Sequence, residues 1–312
     1  MSISSQQSLS ASQSATAAAN QLQLLKGCGI FLCSLCCLSV LDVLAKDLVL
    51  RNSAPLVNMV RYGVIVCLSL SLMLFKRVPF YVNPSARKWL LLRGCMLGFV
   101  GICFMPALQF MPLGEATALY FLSPLIVVLL APLLLGEKVH VKQYLAVGVG
   151  MIGMLLIVNP GGTLSPIGSA LMLVAALCYA MVQLLTRKLT GRVMSEQQFF
   201  YTAAICAPMG LVVLFMYWPQ VWPDTSDILE LLLMGLCGGA GQYLLIYAFK
   251  ATPASILAPI NYFQLVLAVI FGQVVFGHMP DLLSFTGIVL IAAAGLSLTL
   301  PMLIAYLRRK KI

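Results

Sequence analysis

The residues of this sequence that are able to do chemistry are few, and they sit in apolar surroundings. Asp42 and Lys46 are four positions apart within one apolar run, so a helix puts both on one face. Arg61 falls within the next apolar run, and Glu115 begins a later one. A charge at the centre of a membrane-spanning helix costs ~2.5–3.5 kcal/mol on insertion scales, so each of these is a functional candidate by default. In one role, Arg61 meets a carboxylate of a bound solute while Asp42 binds an amine or carries a coupling proton, with Glu115 as a second coupling candidate. In the other, the four form an internal ion-pair network that holds helices together, with long side chains reaching to the interface.

A second set is neutral: Tyr120, Tyr179, Gln183, Gln242, Tyr243, Tyr247, Asn261, Tyr262 and Gln264. Polar groups of this kind orient a ligand in a mainly apolar pocket, or join helices by hydrogen bonds. Taken together, the candidate solute-binding residues are Asp42, Lys46, Arg61, Tyr120, Gln242, Tyr247, Asn261 and Gln264, and the coupling candidates are Asp42 and Glu115.

The elements that must position these groups follow from composition. Of 312 residues, 61% are hydrophobic and 9% charged. A soluble domain carries about 25% charged residues, so this chain cannot coat a surface that faces water. Lipid leaves backbone groups unsatisfied unless they pair within the segment, which selects helices. Ten apolar runs are legible, at roughly 27–47, 54–75, 88–110, 113–135, 142–159, 166–187, 196–217, 228–250, 253–276 and 282–306. The dividers are turn-rich, as at Asn159-Pro160-Gly161-Gly162, and Trp218 and Trp222 stand where interfacial aromatics belong. Residues 1–26 are rich in Ser, Gln and Ala and read as a disordered cytoplasmic tail. Residues 307–312 read as a basic cytoplasmic tail.

The net charge of +10 is a matter of topology rather than of nucleic acid. With the N-terminus inside, sixteen of the 19 basic residues, Arg93 among them, fall on the inner side. Only Lys46, Arg51 and Arg61 fall outside, and most acids fall outside too. The positive-inside rule then places both termini in the cytoplasm.

The chain also repeats itself. Gly94 and Gly235 stand 141 positions apart (235 − 94 = 141), and the same offset pairs Leu91 with Leu232, Gly98 with Gly239, Ala107 with Ala248, Pro112 with Pro253 and Gly136 with Gly277. The repeat unit, 27–159 against 160–306, has five spans. An odd number turns the second copy upside down relative to the first. Inverted repeats with a solute held near the midplane are the pattern of secondary transporters.

The stretch Ala107 to Pro124, with its exit Leu134-Leu135-Gly136-Glu137-Lys138, resembles the repeat of the EamA type drug/metabolite transporter superfamily. The copy from Ala248 to Gly277 follows it more loosely, with His278 where the family usually has glutamate. Asp42-Val-Leu-Ala-Lys46 followed by Arg61-Tyr62 is similar to the subgroup of S-adenosylmethionine and riboflavin carriers. The resemblance implies an all-α integral membrane fold of ten helices in an inverted 5+5 arrangement, working by alternating access.

The expectation is therefore a secondary transporter of a small polar or zwitterionic metabolite in the inner (plasma) membrane. The alternative is an exporter of an amino acid or amine, with a channel or membrane enzyme behind. No G-x-x-x-x-G-K-S/T phosphate loop, G-x-S-x-G or H-E-x-x-H occurs. The expected partners are a small-molecule solute, the lipid bilayer and a second copy in a homodimer, with no nucleic acid, metal or cofactor. His140 and His278 are expected on opposite sides, unable to share a metal. The ten cysteines read as small packing residues.

Overall fold

A computed structural model describes residues 3–135, 141–158, 164–189, 191–219, 222–251 and 260–309. The Asn159 turn, Gly136, Glu137, Lys138, His140, Pro253 and Pro259 lie outside the described residues. The chain is helical throughout the described part: α1 Ile3–Arg51, α2 Ala54–Phe75, α3 Pro84–Phe110, α4 Leu113–Tyr120, α5 Ser123–Leu135, α6 Val141–Val158, α7 Pro166–Leu189, α8 Ser195–Met216, α9 Thr225–Ala251, α10 Phe263–Phe276 and α11 Leu282–Arg309.

Local chemistry sets several of the ends. Pro55 and Pro84 sit in the first turns of α2 and α3, where a missing N–H costs nothing. Asn83 Oδ1 accepts from Ser85 N at 3.1 Å and caps α3. Asp224 and Asp281 cap α9 and α11 in the same way, accepting from Asp227 N at 2.8 Å and Ser284 N at 2.7 Å. These backbone bonds hold both carboxyls below the usual carboxylate range. Gly277 ends α10 at φ 63°, a left-handed cap that suits glycine.

Two departures from the sequence reading stand out. The stretch expected to be a disordered tail is helical from Ile3. Its Ala, Gln and Leu residues are strong helix formers, and it contains neither Gly nor Pro to break the helix. The run at 113–135 is broken into α4 and α5 at Phe121 and Leu122. Pro124 cannot donate to the carbonyl one turn back and disfavours helical geometry in the residue before it. A turn also interrupts the helix at Tyr262, 141 positions after Phe121 (262 − 121 = 141). The rings of Phe121 and Tyr262 meet edge to face at 5.5 Å.

Seven of the described helices are long and apolar enough to cross a membrane, and three shorter apolar helices accompany them. The exterior is apolar, with Leu91, Phe99, Val212, Phe215, Leu229 and Leu232 exposed, whereas Asp42, Lys46, Asn58 and Glu115 are buried. Such a surface suits a hydrocarbon solvent. Trp218 stacks on Phe215 and meets Trp222 edge to face at the α8–α9 turn.

The packing repeats with the sequence. α1 packs on α9 as α7 packs on α3; α2 packs on α9 as α8 packs on α3; α1 packs on α10 as α7 packs on α5. The contacts α2–α8 and α6–α11 join counterparts directly. The agreement extends to single residues. A methyl group on Gly94 would stand 2.5 Å from Ile205 Cδ1, and one on Gly235 would stand 2.7 Å from Val64 Cβ. Gly98 is covered by Met209, and Gly239 by Leu68, each at 2.5 Å. Val64 and Ile205, like Leu68 and Met209, are 141 positions apart (205 − 64 = 141; 209 − 68 = 141). Small residues let helix backbones approach closely in lipid.

Candidate functional site

A cavity of about 130 Å³ lies between the two halves, with walls supplied by α1, α2, α3, α4, α7, α8, α9 and α10. Five of the eight candidate solute-binding residues line it, Asp42, Arg61, Tyr120, Gln242 and Gln264, and so does Tyr179 from the neutral set. Asp42, on the inner face of α1, is 8% exposed. Its Oδ2 accepts a hydrogen bond from Gln264 Nε2 at 2.9 Å, which ties α1 to α10. The equivalent pair in the other half is Gln183 Nε2 donating to Ser123 Oγ at 3.4 Å, each partner 141 positions from its counterpart (183 − 42 = 141; 264 − 123 = 141).

Arg61 enters from α2. Its Nη2 donates to Asn58 Oδ1 at 3.0 Å, its guanidinium lies 4.5 Å from the centre of the Tyr62 ring, and its buried Nε has no partner. The guanidinium fits because position 101 is glycine: a methyl group there would stand 2.9 Å from Arg61 Nη2 and 2.6 Å from Asn58 Oδ1. Tyr120 forms an aromatic wall, stacked on Tyr179 at 4.9 Å and met edge to face by Phe104 at 5.2 Å.

Three solute-binding candidates stand elsewhere. Lys46 shares a face with Asp42 but does not line the cavity. It donates to the carbonyls of Leu108 and Met111 (3.0 Å to Met111), so it holds the C-terminal end of α3, where a cation is favourable. Tyr247 is 48% exposed on the exterior, and half-buried Asn261 is not part of the wall. The coupling candidate Glu115 is also outside the cavity. It is buried at the start of α4, with Oε1 3.2 Å from His278 Nε2 and Oε2 without a partner. The Gly277 cap directs His278 toward it, with His278 N bonded to Gly272 O at 3.0 Å.

Sequence reasoning did not select Arg93. It counted among the inner-side bases, yet its side chain turns into the cavity. Nε donates to Thr186 Oγ1 at 2.7 Å, and Nη1 donates to Thr202 Oγ1. Its position inside the predicted run 88–110 was the available signal. Thr117 and Thr202 also line the wall without having been singled out in the sequence, and so does Tyr62, noted there only in the Arg61-Tyr62 pair.

Polar clasps close the ends of the bundle. At one, Arg51 binds Asp47, Asp227 and Glu230, and Asn52 Nδ2 donates to Asp227 at 2.8 Å. At the other, Lys76 Nζ meets Tyr243 Oη at 2.8 Å and Glu196 at 3.0 Å, and these bonds hold its ammonium above the usual lysine value. Gln197 Nε2 donates to the carbonyls of Pro79 at 2.7 Å and Tyr81 at 3.0 Å beside it.

The cavity thus offers charges, hydroxyls, two amides and aromatic faces, an arrangement for recognising a solute. The described residues include no group of three or more His, Cys, Asp or Glu able to hold a metal. A helical bundle with an apolar exterior and, between repeated halves, a mainly apolar cavity carrying a few charged and polar groups is the arrangement of a carrier. The sequence profile of the EamA-like transporter family matches twice, over residues 25–159 and 166–300, and the chain belongs to that family. The two matches are offset by the same 141 positions (166 − 25 = 141).

Among its relatives, the S-adenosylmethionine uptake transporter of Rickettsia prowazekii is 27% identical over 276 residues, covering 87% of this chain and 92% of the relative. The pseudopaline exporter CntI of Pseudomonas aeruginosa is 29% identical over 264 residues, covering 84% and 91%. A solved crystal structure superposes with a TM-score of 0.65 at 20% identity, covering 89% of this chain and 97% of the other, a likeness of fold. The protein is a multi-pass membrane transporter, and its family and named relatives are transporters rather than enzymes.

Proposed function

We propose that this chain is a secondary transporter of a small zwitterionic metabolite (an amino acid, S-adenosylmethionine or a vitamin-like compound) and that it works by alternating access. The carrying observation is that Asp42 and Arg61 line one chamber without pairing with each other. A buried acid and a half-buried base left apart are costly. A solute bearing an amine and a carboxylate satisfies both, the amine on Asp42 and the carboxylate on the Arg61 fork. Tyr120, Gln242 and Gln264 orient the rest of it.

Ten spans in an inverted 5+5 arrangement, with both termini in the cytoplasm and the chain in the inner (plasma) membrane, complete the reading. The packing pairs that recur at an offset of 141, the odd number of spans per repeat and the distribution of basic residues support it. The equivalent breaks at Phe121 and Tyr262 supply discontinuous helices beside the chamber, where transporters of this kind hold solutes. Asp42 is then the coupling carboxylate, because Glu115 is engaged with His278 away from the chamber.

The test is counterflow in proteoliposomes loaded in turn with S-adenosylmethionine, riboflavin and a panel of amino acids, with and without a pH gradient. Saturable, concentrative flux of a zwitterion that is lost in Arg61→Ala supports the reading. Normal flux in Arg61→Ala removes that residue from the site, and no flux for any compound sinks the substrate class.

A further inference from the structure

Among the described residues, the chamber wall carries one carboxylate, Asp42, and two guanidiniums, Arg61 and Arg93. Among the described residues, no carboxylate lies within ion-pairing distance of either arginine. Their placement follows the internal repeat. The position equivalent to Arg61 is Thr202 on α8 (202 − 61 = 141), and the Thr202 hydroxyl is what accepts from Arg93 Nη1. The second half has a hydroxyl where the first has an arginine, yet α3 delivers a guanidinium to that hydroxyl. One positive charge therefore stands beside each of the two equivalent wall positions.

The known contacts of both arginines are to neutral groups: Asn58 for Arg61, and Thr186 and Thr202 for Arg93. Neutral acceptors orient a guanidinium without cancelling its charge. With Asp42 ionised, the wall is left with a net charge of +1. A zwitterion with one carboxylate is neutral overall and leaves one guanidinium unmet. A solute with one ammonium and two carboxylates has a net charge of −1 and meets all three groups.

We infer that the chamber has two anion stations, Arg61 and Arg93, and that its solute is an amine-bearing dicarboxylate, with the ammonium at Asp42 and one carboxylate at each arginine. This rests on the carrier reading above and narrows its substrate class. Guanidinium–carboxylate pairs are bidentate and roughly twice as strong as neutral hydrogen bonds. The second carboxylate is therefore a main determinant of specificity.

The experiment compares counterflow of matched labelled pairs through the reconstituted full-length protein: aspartate with asparagine, glutamate with glutamine, and 2-aminoadipate with its side-chain amide. At least one acid is expected to move about tenfold faster than its amide. In Arg93→Gln that ratio collapses toward one, and Arg93→Lys retains part of it. The acid–amide comparison in the unaltered protein stands even if a variant fails to fold. Equal flux of every acid and its amide, or a ratio unchanged in Arg93→Gln, overturns the second station while leaving the zwitterion carrier in place. No counterflow of any compound overturns both.

Discussion

The two halves of the molecule agree in how they pack and differ in what they present to the chamber. Gly94 receives Ile205 as Gly235 receives Val64, and Gly98 receives Met209 as Gly239 receives Leu68. Around the chamber the equivalences break down: at the same offset Asp42 corresponds to Gln183, Arg61 to Thr202, Gly101 to Gln242 and Tyr120 to Asn261. Close helix contact in lipid depends on small residues and van der Waals fit, which both halves need equally. A solute with unlike ends needs unlike groups around it. Packing is thus conserved between the halves, and charge is not.

The largest expected effect comes from the asymmetric positions. Asp42→Asn and Arg61→Gln should each reduce counterflow by about 30-fold or more, the scale of losing one partner of a desolvated charge pair. Gln183→Ala, at the position equivalent to Asp42, should stay within about threefold. Equal losses at 42 and 183 would mean that the first half does not carry the charge recognition.

A smaller effect concerns packing. Gly94→Ala and Gly235→Ala should each destabilise the protein by about 1–3 kcal/mol, measured by thermal unfolding in detergent, because each new methyl meets a stiff β-branched side chain. Gly98→Ala and Gly239→Ala should cost less, since the ends of Met209 and Leu68 can move. A large difference between Gly94→Ala and Gly235→Ala would break the equivalence of the halves.

The smallest effect is at the caps of α9 and α11. The Asp224 and Asp281 carboxyls lie below their ordinary value because they accept backbone N–H bonds. A depressed folded-state value means stability that is present above the unfolded value and lost as pH falls through the folded one. Asp281→Asn should therefore flatten the loss of thermal stability below the ordinary carboxylate range, with little change near neutrality. An unchanged acid limb would remove the cap from the account.

Much of this architecture is local and was legible in the residues. The run predicted at 54–75 is α2 to the residue, because Pro55 and the charged pair Lys76-Arg77 mark its ends. The repeat was readable because both halves need the same glycines. Lys46 and Glu115 could not be placed by the same reasoning. A buried cation finds an acid or a set of carbonyls depending on which helix end lies beside it, and Lys46 finds the end of α3.

What the sequence determined by itself was the membrane, the helices, the repeat at an offset of 141 and the candidates Asp42 and Arg61. The reason is that lipid obliges every segment to satisfy its own backbone, so apolar length and periodicity specify each helix without reference to its neighbours. Only the tertiary structure decided that Arg93 turns inward to meet Thr202 and that Gly101 opens space for Arg61. It also decided that Lys46, Glu115, Tyr247 and Asn261 stand apart from the chamber. Eight helices contribute to that wall, and which side chains meet there depends on how the helices cross, which no single segment encodes.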